Sequence, residues 1–108
     1  MKRAVWISFD LGVRGDYEGM YAWLDKHEAK ECGDSLAFVT FEFENDLPQS
    51  LTEDIKASVE VTKKTRIYAI WQDPESNKVK GCFIVGTRKS PAWAGYAVGG
   101  CQEGPDEA

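Results

Sequence analysis

The side chains of this sequence that could contact phosphate are basic residues concentrated in one part of the chain. Residues 63–89 carry seven bases and two acids, although the 108-residue chain has a formal net charge of −5. The bases are Lys63, Lys64, Arg66, Lys78, Lys80, Arg88 and Lys89. On a shared face they would contact nucleic-acid phosphates despite the acidic total. The alternative is a solvated hairpin whose lysines protect a sheet edge.

Two aromatic residues follow this basic segment closely. Trp93 and Tyr96 lie near Arg88 and Lys89 in a glycine-containing stretch. Aromatic rings that stack on bases, next to cations that hold phosphates, are the combination used to bind single strands. The same residue types also occur in arms that wrap a partner subunit, because aromatics and arginine are enriched at protein interfaces. Both interpretations stay open.

A second anion site is conceivable at the start of the first helix. Gly12 and Gly15 flank Arg14, and a glycine-containing turn with free N–H groups at a helix start can hold an anion. Asp16 and Glu18 compete for the same helix end, so the signal is weak.

Other kinds of site have little support in the sequence. His27 is the only histidine, so a Ser-His-Asp triad or a Cys-His pair could use no other imidazole. An exposed residue of the first helix is the simpler interpretation of His27. Cys32, Cys82 and Cys101 are odd in number and lack zinc-site spacing, which favours a reducing compartment. Residues 86–90 lack the spacing of a P-loop.

The composition predicts one globular domain in the cytoplasm. The N-terminal apolar run ends at Asp10, too short for a secretory signal, and we expect no membrane span. Residues 1–86 form the predicted domain, residues 87–100 a basic aromatic arm, and residues 101–108 a disordered acidic tail.

The first elements follow from hydrophobic periodicity. Val5, Ile7 and Phe9 alternate with Trp6, Ser8 and Asp10, which predicts a strand whose two faces have different surroundings. Asp16 is placed to cap a helix that runs to about Cys32. Gly33 is the expected left-handed stop.

The later elements alternate in the same way. Residues 36–43 predict a second extended element, long enough to bend into two strands. Ser50 and Glu53 have the spacing of a capping box that begins helix two. Residues 66–71 and 79–85 predict two strands joined by a polar loop.

This order predicts an α+β fold of the ferredoxin-like kind, with two helices on one face of an antiparallel sheet. The other face would expose aromatic residues. We expect these to be Trp6, Phe38, Tyr68 and Trp71. Because so large an apolar patch is unusual on a monomer, a homodimer that pairs sheet to sheet is predicted.

Several short segments together resemble a known family. They are Ile7-Ser8-Phe9-Asp10-Leu11, Gly33, Val39-Thr40-Phe41-Glu42 and Arg66-Ile67-Tyr68-Ala69-Ile70. In this order, with a helix between strands, they are similar to the CRISPR-associated Cas-two family and its relatives, the VapD-type endoribonucleases. The resemblance covers roughly residues 4–71.

The resemblance implies a homodimer in which Asp10 of each chain faces the other and shares a divalent ion. Mg²⁺ would suit a carboxylate ligand and would polarise a phosphodiester of RNA or DNA. Asp10 would then be both the metal ligand and the catalytic residue. The residues expected to bind the nucleic acid are Arg14, Lys63, Lys64, Arg66, Arg88, Lys89 and Trp93. Alternatively, Asp10 only caps the turn after the strand, and the protein is a non-enzymatic regulatory module, of the antitoxin kind, that binds another protein.

Overall fold

Five β-strands and two α-helices follow one another along residues 1–97, the part of the chain that the computed structural model describes. In chain order they are β1 (Lys2–Asp10), α1 (Tyr17–Lys26), β2 (Lys30–Gly33), β3 (Leu36–Glu42), α2 (Leu47–Lys56), β4 (Arg66–Gln72) and β5 (Val79–Val85). Every strand pair is antiparallel, and the sheet order is β2-β3-β1-β4-β5. The predicted α+β fold with an antiparallel sheet is confirmed. The predicted tail, residues 101–108, lies outside the described residues.

The central strand of the sheet is β1, which pairs with β3 on one side and β4 on the other. Val5, Ile7 and Phe9 are buried, while Trp6 and Ser8 between them are exposed. Side chains alternate between the faces of a strand, so β1 gives one face to the core and one to the outside.

Both helices cover the same face of the sheet. Met20 and Trp23 of α1 share one hydrophobic cluster with Leu51 and Ile55 of α2 and with the buried side chains of β1. The opposite face has no helix upon it among the described elements. Within residues 1–97, no helix is long and apolar enough to cross a membrane.

The first helix is shorter than predicted. It ends at Lys26, and Glu28 takes a left-handed conformation with φ of 56°, after which the chain enters β2 at Lys30. The prediction of a helix to Cys32, stopped at Gly33, was therefore wrong. The left-handed residue after the helix is Glu28 and not a glycine, so a search for glycine at the helix end does not find it. The predicted cap is confirmed, since Asp16 accepts a hydrogen bond from the N–H of Gly19 at 2.9 Å.

The second helix begins earlier than predicted. Asp46 is its N-cap and accepts a hydrogen bond from the N–H of Gln49 at 3.0 Å, while Pro48 lies in the first turn. Ser50 is inside the helix and donates its N–H to the carbonyl of Asp46. The predicted capping box of Ser50 and Glu53 was therefore wrong. Proline is favoured in a first turn because its missing N–H has no helical acceptor there.

One member of the predicted aromatic face lies in the core instead. Trp71 is buried together with Ile67 and Ala69, its alternating neighbours on β4. Tyr68 is three positions away and so points to the other face. The expectation that Tyr68 and Trp71 share a face contradicts the two-residue period of a strand.

The two candidate caps of α2 predict opposite outcomes for two substitutions. Asp46→Ala should lower the free energy of unfolding by about 1 kcal/mol, because it removes the acceptor for an unpaired helical N–H. Ser50→Ala should leave it within about 0.5 kcal/mol of wild type, since alanine is a good helix former. Urea unfolding measures both. A larger loss for Ser50→Ala than for Asp46→Ala would contradict the structure.

Candidate functional site

Asp10 is held in an ion pair where β1 ends. Its antiparallel partner on β4 is Arg66, whose Nη2 donates to Oδ2 of Asp10 at 3.1 Å. The N–H of Gly12 donates to Oδ1 at 3.3 Å, in a turn that Gly12 allows with φ of +78°. The side chain of Asp10 is 54% exposed and that of Arg66 26%. Asp10 therefore caps its turn, as the simpler interpretation expects, and remains open to solvent.

These contacts keep Asp10 ionised. The hydrogen bond from Arg66, then that from Gly12, and to a smaller extent the charges of Arg66 and Lys89, lower the pKa of Asp10 below its ordinary 3.8, against the effect of partial burial. A carboxylate with a lowered pKa holds no proton near neutral pH. Asp10 can accept a hydrogen bond or ligate a cation, but it is poorly suited to donate a proton.

Two predicted phosphate-binding residues lie at the turn that follows β1. Arg14 and Lys64 line a shallow cavity of about 360 Å³ together with Gly12 and Thr62. The backbone there is fixed by Thr62, whose N–H donates to Oγ1 of Thr65 at 2.9 Å and whose Oγ1 accepts from the N–H of Lys64 at 3.2 Å. The turn before β4 thereby carries Lys64 to the end of β1.

The remaining predicted residues lie in the turn before β4 and in the segment after β5. Lys89 is near enough to Asp10 to influence its ionisation, and Lys63 is exposed in the turn before β4. Arg88 places its guanidinium over two aromatic rings of the open face. Trp93 is 76% exposed in a turn after β5. Between Met1 and Ala97, neither Lys63 nor Trp93 makes an ion pair or a ring contact with the others.

Sequence reasoning missed the arrangement of the aromatic residues on the open face. Trp6 and Phe38 lie opposite each other on β1 and β3, with ring centroids 4.8 Å apart. Tyr68 and Phe83 form a second pair on β4 and β5, also at 4.8 Å. Tyr68 lies over Gly81, where a Cβ would be 2.8 Å from the ring. Strict alternation along β4 would have removed Trp71 from this face, whereas the place of Phe83 depends on the pairing of β4 with β5.

A single chain does not provide a complete Mg²⁺ site at Asp10. Within residues 1–97, no three or more His, Cys, Asp or Glu side chains are grouped to hold a metal ion. Asp10 is one carboxylate, and Arg66 already bonds to it. Mg²⁺ takes six ligands, commonly one or two carboxylates with water and phosphate. The residues of one chain thus do not fit the ion, and the predicted site requires a second copy.

His27 belongs to a polar cluster between the helices, so its prediction as an exposed helix residue was wrong. Its side chain is 20% exposed and stacks on Trp23, and its Nε2 lies 3.3 Å from Oδ2 of Asp54. Trp23 donates its indole N–H to the same oxygen at 2.8 Å. These contacts join α1 to α2 and are structural.

Comparisons with models of known protein families, with curated proteins and with solved structures found no match to this chain.

The ion pair of Asp10 predicts a pH-dependent contribution to stability. Asp10→Asn should lower the free energy of unfolding at pH 7 by about 0.5 kcal/mol, the size of an exposed ion pair. Because the folded-state pKa is lowered, this contribution is complete above the unfolded pKa and is lost as pH falls through the folded pKa.

Urea unfolding between about pH 7 and pH 2 measures that difference, with Asp34→Asn, an exposed aspartate in the turn before β3, as the matched control. The two curves for wild type and Asp10→Asn should converge only in acid. A difference that grows as the pH falls would contradict the ion pair.

Proposed function

We propose that this protein binds RNA or DNA through the basic end of its sheet. The supporting observation is that bases from separate segments lie near the end of β1: Arg66 pairs with Asp10 and Lys89 is close enough to act on its charge, while Arg14 and Lys64 line one cavity beside Gly12. Such clustering in a chain with a net charge of −5 concentrates positive potential locally. A polyanion is the ligand that it suits.

The distribution of acids favours the same surface. The two helices carry four acids, Glu18, Asp25, Glu53 and Asp54, against two bases, Lys26 and Lys56, whereas Lys30, Arg66 and Arg88 lie on the open face of the sheet. Phosphates are repelled from the first surface and attracted to the second. The nucleic acid would therefore approach from the side without helices.

A ferredoxin-like fold is part of the proposal. Its support is that β2, β3, β1 and β4 are neighbours in that order and antiparallel, with α1 between β1 and β2 and α2 between β3 and β4. The fifth strand extends this sheet beyond β4, so the full order differs from that of a four-strand sheet. The extension brings Phe83 and Arg88 next to Tyr68.

Metal-dependent cleavage is a second candidate, favoured by the exposed carboxylate of Asp10 among phosphate-binding bases. It is what the resemblance to the Cas-two and VapD proteins implies. Since one chain supplies one carboxylate, this activity requires the predicted homodimer, in which two copies of Asp10, a phosphate and water would supply the six ligands of Mg²⁺. Binding alone requires no second copy.

Replacing two of the bases should weaken binding and flatten its dependence on salt. For a labelled 12-nucleotide RNA, Lys64→Ala/Lys89→Ala should reduce the slope of log affinity against log salt by about 1.4, at about 0.7 per lost phosphate contact. Fluorescence anisotropy at several salt concentrations measures the slope. Lys56→Ala, on the helix layer, is the control and should match wild type.

The same samples test cleavage. Incubation with and without Mg²⁺, followed by denaturing electrophoresis, should show cleavage by wild type and none by Asp10→Asn if the second candidate holds, and light scattering should then give a dimer. If wild type is a monomer that binds RNA without cleaving it, the nuclease hypothesis is wrong and the binding hypothesis is supported. If wild type binds no RNA or DNA at low salt, the proposed function is wrong.

A further inference from the structure

The open face of the sheet presents a row of aromatic rings across four neighbouring strands. Trp6 lies opposite Phe38 on one side and opposite Ile70 on the other, and Tyr68 is two positions from Ile70. Trp6 and Tyr68 are thus diagonal neighbours, whose Cα atoms lie about 7–8 Å apart in antiparallel sheets. Phe83 continues the row on β5. Trp6 is 40% exposed, so this ring is available for contact.

Small residues next to these rings leave few side chains that project beside them. Ala4 and Ser8 are the exposed neighbours of Trp6 on β1, and Gly81 lies beneath Tyr68. Nothing larger on β1 stands beside the indole to prevent a flat molecule from lying against it. On the neighbouring strands the indole is flanked by Phe38 and Ile70, so a planar ligand would stack on the 40% of Trp6 that is exposed.

The charges on this face are mainly positive. Arg88 lies 5.7 Å from the centroid of Tyr68 and 5.4 Å from that of Phe83. Lys30 is opposite Phe38, and Lys2 is opposite Glu42, at the margin of the row. A cation within about 6 Å of a ring is attracted to it, so Arg88 is held next to the aromatic surface with donors left over for a phosphate.

We infer that this open face binds single-stranded nucleic acid, with bases stacked on Trp6 and Phe38 and phosphates held by Arg88 and the basic end of the sheet. The inference rests on the proposed function and names its substrate class. Rings that accept any base, next to cations that follow the backbone, are the means by which single strands are bound without sequence preference. In a duplex the base faces are already stacked on each other.

A second copy of the chain is the less favourable occupant. A two-fold interface places the same patch against itself. Here both copies would bring Arg88, Lys2 and Lys30 into one interface, and this accumulation of like charge opposes association. A polyanion neutralises them.

The test measures affinity for three labelled probes, a 12-nucleotide U-rich RNA, the corresponding DNA strand and a 12-base-pair duplex, at one salt concentration. Wild type should bind both single strands more tightly than the duplex. Trp6→Leu should weaken single-strand binding by roughly 5- to 150-fold, the effect of losing a stacked base, and change duplex binding by less than about twofold. Trp6→Phe should keep most of the wild-type affinity for single strands, because phenylalanine still offers an aromatic ring for stacking.

Tyr21→Leu is the matched control, since Tyr21 is an exposed aromatic residue on α1 in the helix layer, and thermal unfolding of each variant confirms its fold. Trp6→Leu could bind single strands as wild type does while Lys64→Ala/Lys89→Ala loses affinity. In that case the inference of base stacking on the open face is wrong, and the proposed binding at the basic end of the sheet is supported. If no probe binds, both are wrong. If Trp6→Leu converts a dimer to a monomer without weakening RNA binding, the face belongs to a second copy.

Discussion

The alternation of β1 is the constraint on which the rest of the structure depends. As the middle strand, it is paired along both edges, so a shift by one residue would exchange its buried and exposed side chains throughout. Because the side chains of Val5 and Ile7 pack against the helices, those of Trp6 and Asp10 must point to the open face. The same pairing register sets Arg66 opposite Asp10 and Phe38 opposite Trp6. Core and candidate binding surface are thus two consequences of one pattern.

The sequence predicted those elements whose signals are local. Periodicity located β1, β4 and β5, and Asp16 was correctly expected to cap α1. Failures occurred where two local signals competed or where a residue broke its usual preference. Asp46 with Pro48 and Ser50 with Glu53 both resemble helix starts, and the helix begins at the first of them. Glu28 reverses the chain although its residue type rarely adopts positive φ.

The candidate site depended more on long-range pairing than on local signals. The basic surplus of residues 63–89 was visible in the sequence, and it led to Lys64, Arg66, Arg88 and Lys89. That Arg66 bonds to Asp10 requires the register of two strands 56 positions apart, which no local motif encodes. The ion pair also alters the chemistry expected of Asp10, because a cation that binds this carboxylate must share it with the guanidinium of Arg66.

The central claim is that nucleic acid lies on the open face and not on the helix layer, and the indole signals of tryptophan test it most directly. In ¹H–¹⁵N spectra recorded during titration with a U-rich RNA, the Nε1–H signal of Trp6 should shift, together with the amides of β1 and β4. The Nε1–H of Trp23, which is buried and bonded to Asp54 at 2.8 Å, should stay in place. Shifts confined to α1 and α2, with Trp6 unchanged at saturation, would contradict the account.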